Sequence, residues 1–200
     1  MYICGNIQRN LPFKPSTMRK LILILCTFLL TSVAFAQKPH FGAKAGLNLA
    51  SQMVGDEGST PSRAALYAGL FAEFDISNKL GIQPELIFSM QGAGDATNSN
   101  SPDKFNYINL PVMLKIYVLQ RSLSVDVGPQ FGYLLSAKNG STDIYDRIDN
   151  KFDVALCLGA SYKFNEKIDV SARFNFGMIK LVDGFEHTNA VSQIGVGIWF

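Results

Sequence analysis

The feature that most constrains the fold is a period-two alternation of apolar and polar residues that runs from Phe41 to the C-terminus. Successive side chains of a β-strand point to opposite faces, so this pattern predicts strands; the 3.6-residue period of an amphipathic helix does not persist anywhere. We predict eight strands, at residues 40–51, 65–77, 80–92, 105–119, 122–136, 151–164, 167–180 and 191–200. The chain is therefore expected to be all-β.

Short and long connections alternate strictly between these strands. Three connections are tight turns and four are polar segments rich in Gly, Ser, Asn and Asp; the turns are at 77–79, 120–121 and 165–166, and the loops at 52–64, 93–104, 137–150 and 181–190. Outer-membrane barrels have this connectivity, with short turns in the periplasm and long loops outside. The strands are long enough, because a tilted strand crosses a bilayer in about 9–11 residues. We predict an eight-stranded antiparallel up-and-down transmembrane β-barrel with both termini in the periplasm.

The two faces of the predicted strands differ in chemistry. One face is apolar and includes Leu114 and Val127 near mid-strand. The other carries charged and amide side chains interspersed with glycines: Lys44, Glu73, Asp75, Gln83, Glu85, Lys115, Asp126, Gln130, Asp153, Lys163, Asp169 and Arg173. Alternation alone also allows a soluble, lipocalin-like barrel with the apolar face inside. The glycines favour the membrane barrel, because a narrow lumen needs small residues whereas glycines on a solvated face only weaken strands.

The last predicted strand ends on an aromatic residue, Phe200, with Ile194, Val196 and Ile198 on the same face. The final strand of an outer-membrane barrel pairs with the first and places such an aromatic at the membrane interface. We interpret Ile198 and Phe200 as the end signal for membrane insertion.

The N-terminus has the pattern of an export signal. A basic segment at Met18-Arg19-Lys20 precedes an apolar run over residues 21–30 and the small-x-small cleavage pattern Ala34-Phe35-Ala36. We predict that residues 1–36 are an N-terminal extension and cleavable signal peptide, with Met1 or Met18 as the start. Residues 37–200 would form the barrel domain.

Two other interpretations of the N-terminus are open but less favoured. A transmembrane anchor needs roughly 20 apolar residues, and the stretch that begins at Leu21 is about 14 residues long even when it is counted past Leu30. A lipoprotein would use Cys26, but Ile24-Leu25 before it lacks the small residues expected at a lipidation site.

Removal of the leader changes the charge of the chain. The precursor has 18 basic and 16 acidic residues; the leader holds four of the bases and no acid, which leaves 14 bases against 16 acids and a net charge near −2. Nucleic acid is therefore not an expected partner. Only Cys157 remains, so an intrachain disulfide and a cysteine-based metal site are excluded in the mature chain.

Several segments match a known pattern together: Phe41 to Leu49 as a first strand, Gly81 to Gly92 as a third, Tyr107 to Lys115 as a fourth, Gly128-Pro129 in the fifth and Ala172-Arg173-Phe174 in the seventh. They resemble the outer membrane protein β-barrel domain family of Bacteroidetes, the "porin family" or "PorT family" proteins. The resemblance implies a small barrel shaped like the OmpA and OmpX transmembrane domains, located in the outer membrane of a Gram-negative bacterium. It implies little about activity.

Pro84 and Pro111 fall inside the predicted third and fourth strands. Proline cannot donate a ladder hydrogen bond and is usually found at strand edges or bulges. Since a closed barrel has no edge, we expect a bulge or local widening near each; the alternative is that they only mark strand ends.

The sequence holds little that indicates catalysis. A loop-borne hydrolase would use His187 with Asp183 and Glu186, but such residues are common in solvated loops. Two acidic groups could bind Ca²⁺ weakly but lack EF-hand spacing: Asp56-Glu57, and Asp143 with Asp146 and Asp149. We predict no catalytic residue, no metal and no cofactor.

The charged face is expected to form a packed, ion-paired network that fills the lumen: Lys44, Glu73, Glu85, Lys115, Asp126, Asp153, Lys163, Asp169 and Arg173. We expect Arg173 to anchor it by bridging two carboxylates, with Asp153, Asp169 and Glu85 as its candidate partners.

The leading functional prediction is a monomeric, non-enzymatic structural or surface-interaction protein. Its expected partners are outer-membrane lipid, periplasmic chaperones, the barrel-assembly machinery and an unidentified extracellular ligand of the loops. The alternatives are a narrow channel for small solutes and, less favoured, the hydrolase.

Overall fold

The computed structural model describes residues 39–54, 58–59, 62–92, 94, 103–119, 121–148, 150–178 and 187–200. The predicted extension and signal peptide, residues 1–36, lies outside the described residues. Among the residues described, no helix is long and apolar enough to cross a membrane.

Eight long strands make up the fold: β1 His40–Val54, β2 Arg63–Ser77, β3 Leu80–Gln91, β4 Asp103–Leu119, β5 Leu123–Asn139, β6 Phe152–Lys163, β7 Ile168–Gly177 and β8 His187–Trp199. Each pairs antiparallel with its neighbours in the chain, and β8 pairs with β1 from Trp199 opposite Gly42 to His187 opposite Val54. The sheet is therefore a closed barrel, which confirms the predicted fold class. Two short strands, Gly58–Ser59 and Thr142–Asp143, pair with β1 and β5.

We call the end of the barrel with the short connections the turn end, and the opposite end the loop end. Several strands continue beyond their predicted limits at the loop end: β4 begins at Asp103, β5 ends at Asn139 and β8 begins at His187. β7 ends earlier than predicted, at Gly177. Ladder hydrogen bonds join backbone groups, so strand pairing can continue through polar residues that no longer alternate.

The alternation of the strands separates lipid-facing from lumen-facing residues as predicted for a membrane barrel. Leu114 and Val127 lie opposite each other in β4 and β5 and point outward, whereas their neighbours Lys115 and Asp126 point inward and are buried. Large apolar side chains cover the outside; Leu70 is 59% exposed and Ile194 is 65% exposed. A soluble barrel would not expose so much contiguous apolar surface.

Pro84 and Pro111 lie inside β3 and β4, so the alternative that they mark strand ends is wrong. The β3–β4 ladder skips the two residues after Pro84, and the β4–β5 ladder skips the two after Pro111; the register is the same on both sides of each gap. The missing donor is thus accommodated by an interrupted ladder rather than a bulge. Register shifts occur elsewhere, between Asp75 and Ser77, Asn106 and Tyr107, and Tyr117 and Leu119.

Candidate functional site

The middle of the lumen contains a buried charge cluster centred on Glu85 of β3. Arg173 of β7 donates to both carboxylate oxygens, from Nη1 to Oε2 at 2.9 Å and from Nη2 to Oε1 at 2.8 Å. Lys44 of β1 donates to Oε1 at 2.8 Å, and so does the Gln83 amide at 2.6 Å. A bidentate arginine–carboxylate pair is among the strongest charged hydrogen-bond arrangements. The cluster therefore ties three strands together across the lumen.

Arg173 does not bridge two carboxylates, contrary to our expectation. It lies opposite Gly159 of β6, six residues from Asp153, which is about 20 Å along the strand. Asp169 lies four residues away on β7 itself, about 13 Å toward the turn end. The Asp153 and Asp169 carboxylates share a face with Arg173 but lie at other heights in the lumen. Both terminal amino groups of the guanidinium therefore bind Glu85.

A second charge cluster lies nearer the turn end. Lys115 donates to Glu73 at 2.9 Å and to the Gln83 side-chain oxygen at 3.0 Å, and the Tyr117 hydroxyl donates to Glu73. Gln83 also donates to Glu85, so its amide links the two clusters. An amide side chain can accept from a cation and donate to a carboxylate at the same time, so Gln83 binds Lys115 and Glu85 without adding a buried charge.

Arg121, in the turn between β4 and β5, extends this second cluster and was not predicted as part of it. Its guanidinium hydrogen-bonds to Asp75, and this contact raises the pKa of Arg121 above its usual value. The residue has φ 64°, in the left-handed region, and its side chain reaches back to Asp75 on β2. Sequence reasoning missed Arg121 because a turn residue has no place in a period-two pattern.

Neutral groups hold the other four residues of the predicted network. Asp126 accepts hydrogen bonds from Ser124, at 2.6 Å, and from Ser161. Asp169 accepts a hydrogen bond from Trp199 Nε1 at 3.2 Å, and Asp153 accepts one from the Asn189 amide at 3.2 Å. Lys163 Nζ lies over the Trp199 ring, 3.9 Å from its centroid. None of these four charged residues forms an ion pair with a residue that the structure describes. The network thus has five ion-paired members, Lys44, Glu73, Glu85, Lys115 and Arg173.

Two aromatic side chains lie over lumen glycines of β1 and β8. Gly46 and Gly195 are directly opposite, and a Cβ atom on Gly195 would overlap the Tyr67 hydroxyl. A Cβ atom on Gly42 would likewise overlap the Phe71 ring, which packs edge-on against Trp199 at a centroid distance of 4.7 Å. The glycines thus leave room for aromatic rings as well as for charged side chains.

The loop end of the lumen is filled by an apolar cluster. Phe105, Tyr107 and Leu134 from β4 and β5 pack with Ile148 from the following loop, and all four are buried. Ile144 and Tyr145 of the same loop pack against them. We had assigned 137–150 as a polar loop; these isolated large apolar residues were the available signal that part of it folds back onto the barrel.

A cavity lies in the lumen near the turn end. It has a volume of about 490 Å³ and is lined by charged and aromatic groups that include Lys115, Lys163, Asp169 and Trp199. The Glu85 cluster lies between this cavity and the apolar cluster at the loop end.

The residues considered for catalysis or metal binding lie mostly outside the described residues. These are Asp183, Glu186, Asp56, Glu57 and Asp149, together with the side chain of His187. Asp143 accepts the backbone N–H of Tyr145 at 2.9 Å. Within the described part of the chain, no group of three or more His, Cys, Asp or Glu could hold a metal ion.

Comparison with solved structures supports the barrel fold. Neisserial surface protein A aligns with a TM-score of 0.58 and 15% identity, covering 82% of this chain and 100% of that one. The attachment invasion locus protein Ail of Yersinia pestis aligns with a TM-score of 0.53 and 12% identity, with the same coverages. At these identities the likeness shows the fold alone. No curated protein is significantly similar in sequence.

The sequence profile described as "Outer membrane protein beta-barrel domain" matches residues 35–183, most of the chain. The barrel geometry, its apolar outer surface and this match agree with one another. The chain belongs to the outer membrane protein beta-barrel domain family and is located in the outer membrane of a Gram-negative bacterium.

Proposed function

We propose that this protein is a non-enzymatic, monomeric outer-membrane barrel with a closed lumen, acting as a structural or surface-interaction protein through its loops. The observation that carries the proposal is the Glu85 cluster, in which side chains from β1, β3 and β7 meet at mid-barrel. An eight-stranded barrel is only just wide enough for its own side chains. A hydrogen-bonded cluster spanning it leaves little room for a solute path.

The apolar cluster at the loop end supports the same proposal. Phe105, Tyr107, Leu134 and Ile148 would place a second, mostly apolar barrier above the Glu85 cluster, with Asn189 beside it bonded to both the Tyr107 hydroxyl and Asp153. An ion that passed both would lose water at an apolar barrier without gaining ligands, which is costly.

A narrow channel is the second candidate, and the cavity of about 490 Å³ near the turn end is the observation that favours it. Planar-bilayer recording separates the two. The purified barrel is expected to show no unitary conductance, while an open porin inserted under the same conditions serves as the positive control. Reproducible single-channel steps that change in Glu85→Ala would overturn the closed-lumen proposal.

The surface role requires the loop end to face outward. Protease added to intact cells should cut within residues 93–104 or 137–150 and spare the turns at 78–79 and 165–166. The same protease on permeabilised cells checks that the short turns can be cut at all. Cleavage of intact cells at the short turns only would reverse the orientation and remove the surface role.

We also propose that Ile198 and Phe200 direct insertion by the assembly machinery. Both point outward, and the Phe200 N–H donates to the Phe41 carbonyl at 2.9 Å, next to the β1–β8 closure. Phe200→Ser should lower the yield of membrane-inserted barrel in cells while leaving refolding in detergent intact. Val118→Ser, also near the turn end and outward-facing, is the matched control.

A further inference from the structure

A basic pocket lies at the loop end of the barrel, away from the lumen clusters described above. It has a volume of about 550 Å³, and its lining includes Arg63, Lys104 and Lys138 together with Asn106 and Ser136. None of the described residues that line it is acidic. This excess of positive charge is local, because the mature chain has more acids than bases.

The two lysines of the pocket are direct cross-strand partners. Lys104 of β4 is opposite Lys138 of β5, so their Cβ atoms are about 5 Å apart, and like charges in such a pair are destabilising. Both side chains are exposed, and neither forms an ion pair with a described residue. Asp143 lies opposite Lys138 on its other side and offsets part of that lysine's charge, but its Oδ1 accepts the Tyr145 N–H and its carboxylate forms no ion pair with Lys138. An anion between the lysines would remove the repulsion.

Arg63 completes the pocket, and its guanidinium makes one hydrogen bond to the residues that the structure describes. Its Nη1 donates to the Gln91 carbonyl at 2.6 Å, which fixes the side chain at the barrel rim. A guanidinium has five N–H donors, so others stay available for a ligand. Planar guanidinium and paired ammonium groups are the usual ligands of phosphate oxygens.

The height of the pocket matches the membrane surface. Outward-facing residues of β4 are apolar from Ile108 to Val118, a span of about 33 Å along the strand and about 25 Å across a bilayer after tilt. The outward Asn106 comes next and hydrogen-bonds to Ser136 of β5 at 2.8 Å. Polar lining therefore begins where the apolar band ends, at the level of lipid headgroups.

We propose that this pocket binds the phosphate group of a lipid headgroup in the leaflet that the loop end faces. Lys104 and Lys138 would share the phosphate oxygens, and Arg63 would donate from the rim. Met90 in the lining continues into the apolar outer surface, which gives the hydrocarbon part of the same molecule a place to pack. A free phosphate would gain nothing from that surface. The inference goes beyond the proposed function and does not depend on whether the lumen is closed.

The test measures lipid binding to the full barrel in detergent by native mass spectrometry. Bisphosphorylated lipid A is compared with the same lipid A after removal of both phosphates. The wild type should bind the phosphorylated form about tenfold more tightly. Lys104→Gln/Lys138→Gln should lose most of that preference, since each basic residue near a membrane surface contributes several-fold in affinity. Lys79→Gln/Lys167→Gln, with both residues exposed at the turn end, is the charge-matched control and should behave as the wild type.

Equal binding of the two lipids by the wild type, or equal loss in both double variants, would overturn the proposal. A variant counts as folded when its gel mobility changes on heating to the same extent as that of the wild type. Inorganic phosphate and phosphatidylglycerol are also tested as ligands in the same measurement. Binding of millimolar inorganic phosphate without any preference for phosphorylated lipid A would show a free-anion site and contradict a lipid ligand. Preference for phosphatidylglycerol over lipid A would retain a lipid phosphate but place the loop end in the opposite leaflet.

Discussion

Arg173 and Glu85 are 88 residues apart in the chain, yet the two terminal guanidinium nitrogens of Arg173 donate to the two carboxylate oxygens of Glu85 at 2.8–2.9 Å. The pair joins β7 to β3 through the lumen. Glu85 is also the acceptor for Lys44, so one carboxylate forms ion pairs with two buried cations. Loss of Glu85 and loss of Arg173 should therefore differ in their effect on the free energy of unfolding.

Glu85→Gln should destabilise the barrel more than Arg173→Ala. The first change leaves Lys44 and Arg173 buried without a counter-charge, whereas the second leaves Glu85 paired with Lys44. Breaking a buried pair costs about 3–5 kcal/mol, so we expect Arg173→Ala near the lower limit and Glu85→Gln near the upper. Urea unfolding in lipid vesicles, followed by fluorescence of Trp199, the single tryptophan, measures both. Arg173→Lys should recover only part of the loss, and wild-type stability of Arg173→Ala would contradict the anchoring role.

Leu114→Arg or Val127→Arg should each destabilise the inserted barrel by about 2–4 kcal/mol, because they place a charge at the bilayer midplane. Val118→Arg, on the same outer face of β4 but near its end, should cost about 0–1 kcal/mol. The same urea titration compares the three. A correctly folded, soluble monomer without detergent would be incompatible with the lipid-facing assignment.

Gly195→Ala should cost about 1–3 kcal/mol, since the added methyl would overlap the Tyr67 hydroxyl and crowd the Ala45 carbonyl oxygen at 2.7 Å, so that both would have to shift. Gly81→Ala is the matched control, because a Cβ atom there would meet its nearest neighbours at 3.5 Å, an ordinary contact. Thermal unfolding of both variants in one detergent checks the difference. Equal unfolding midpoints for the two variants would mean that Tyr67 can keep its position without a glycine at residue 195.

Asp153→Asn should leave stability unchanged or raise it, unlike Glu85→Gln. Asp153 is buried without an ion pair, and its Oδ1 has no hydrogen-bond partner among the described residues; Asn109 Nδ2 nearby in the lumen is also without one. An amide of the same shape removes the desolvation cost of the charge and keeps an acceptor for Asn189. Urea unfolding measures it, and a loss above about 2 kcal/mol would reveal a charged partner of Asp153.

The sequence by itself determined which residues form strands and which face each side chain takes. Leu114 and Lys115 take opposite faces because successive side chains of a strand alternate, and no tertiary information is needed for that. Alternation did not decide which face is outside; the glycines of the charged face favoured an apolar exterior, and the structure confirms it. The alternation of short and long connections likewise determined the up-and-down order of the strands. The strand limits at the loop end were less predictable, because backbone pairing continues where the side-chain pattern has stopped.

Only the tertiary structure decided which lumen residues meet. The height of a side chain in a barrel depends on strand tilt and on the stagger of each strand against the next, and neither is visible in a period-two pattern. That is why Arg173 binds Glu85 and not Asp153, although both carboxylates lie on the predicted face. The same stagger places Tyr67 over Gly195 and sets Lys104 opposite Lys138. Alternation assigns a residue to the lumen, and the stagger of the closed sheet assigns it a neighbour.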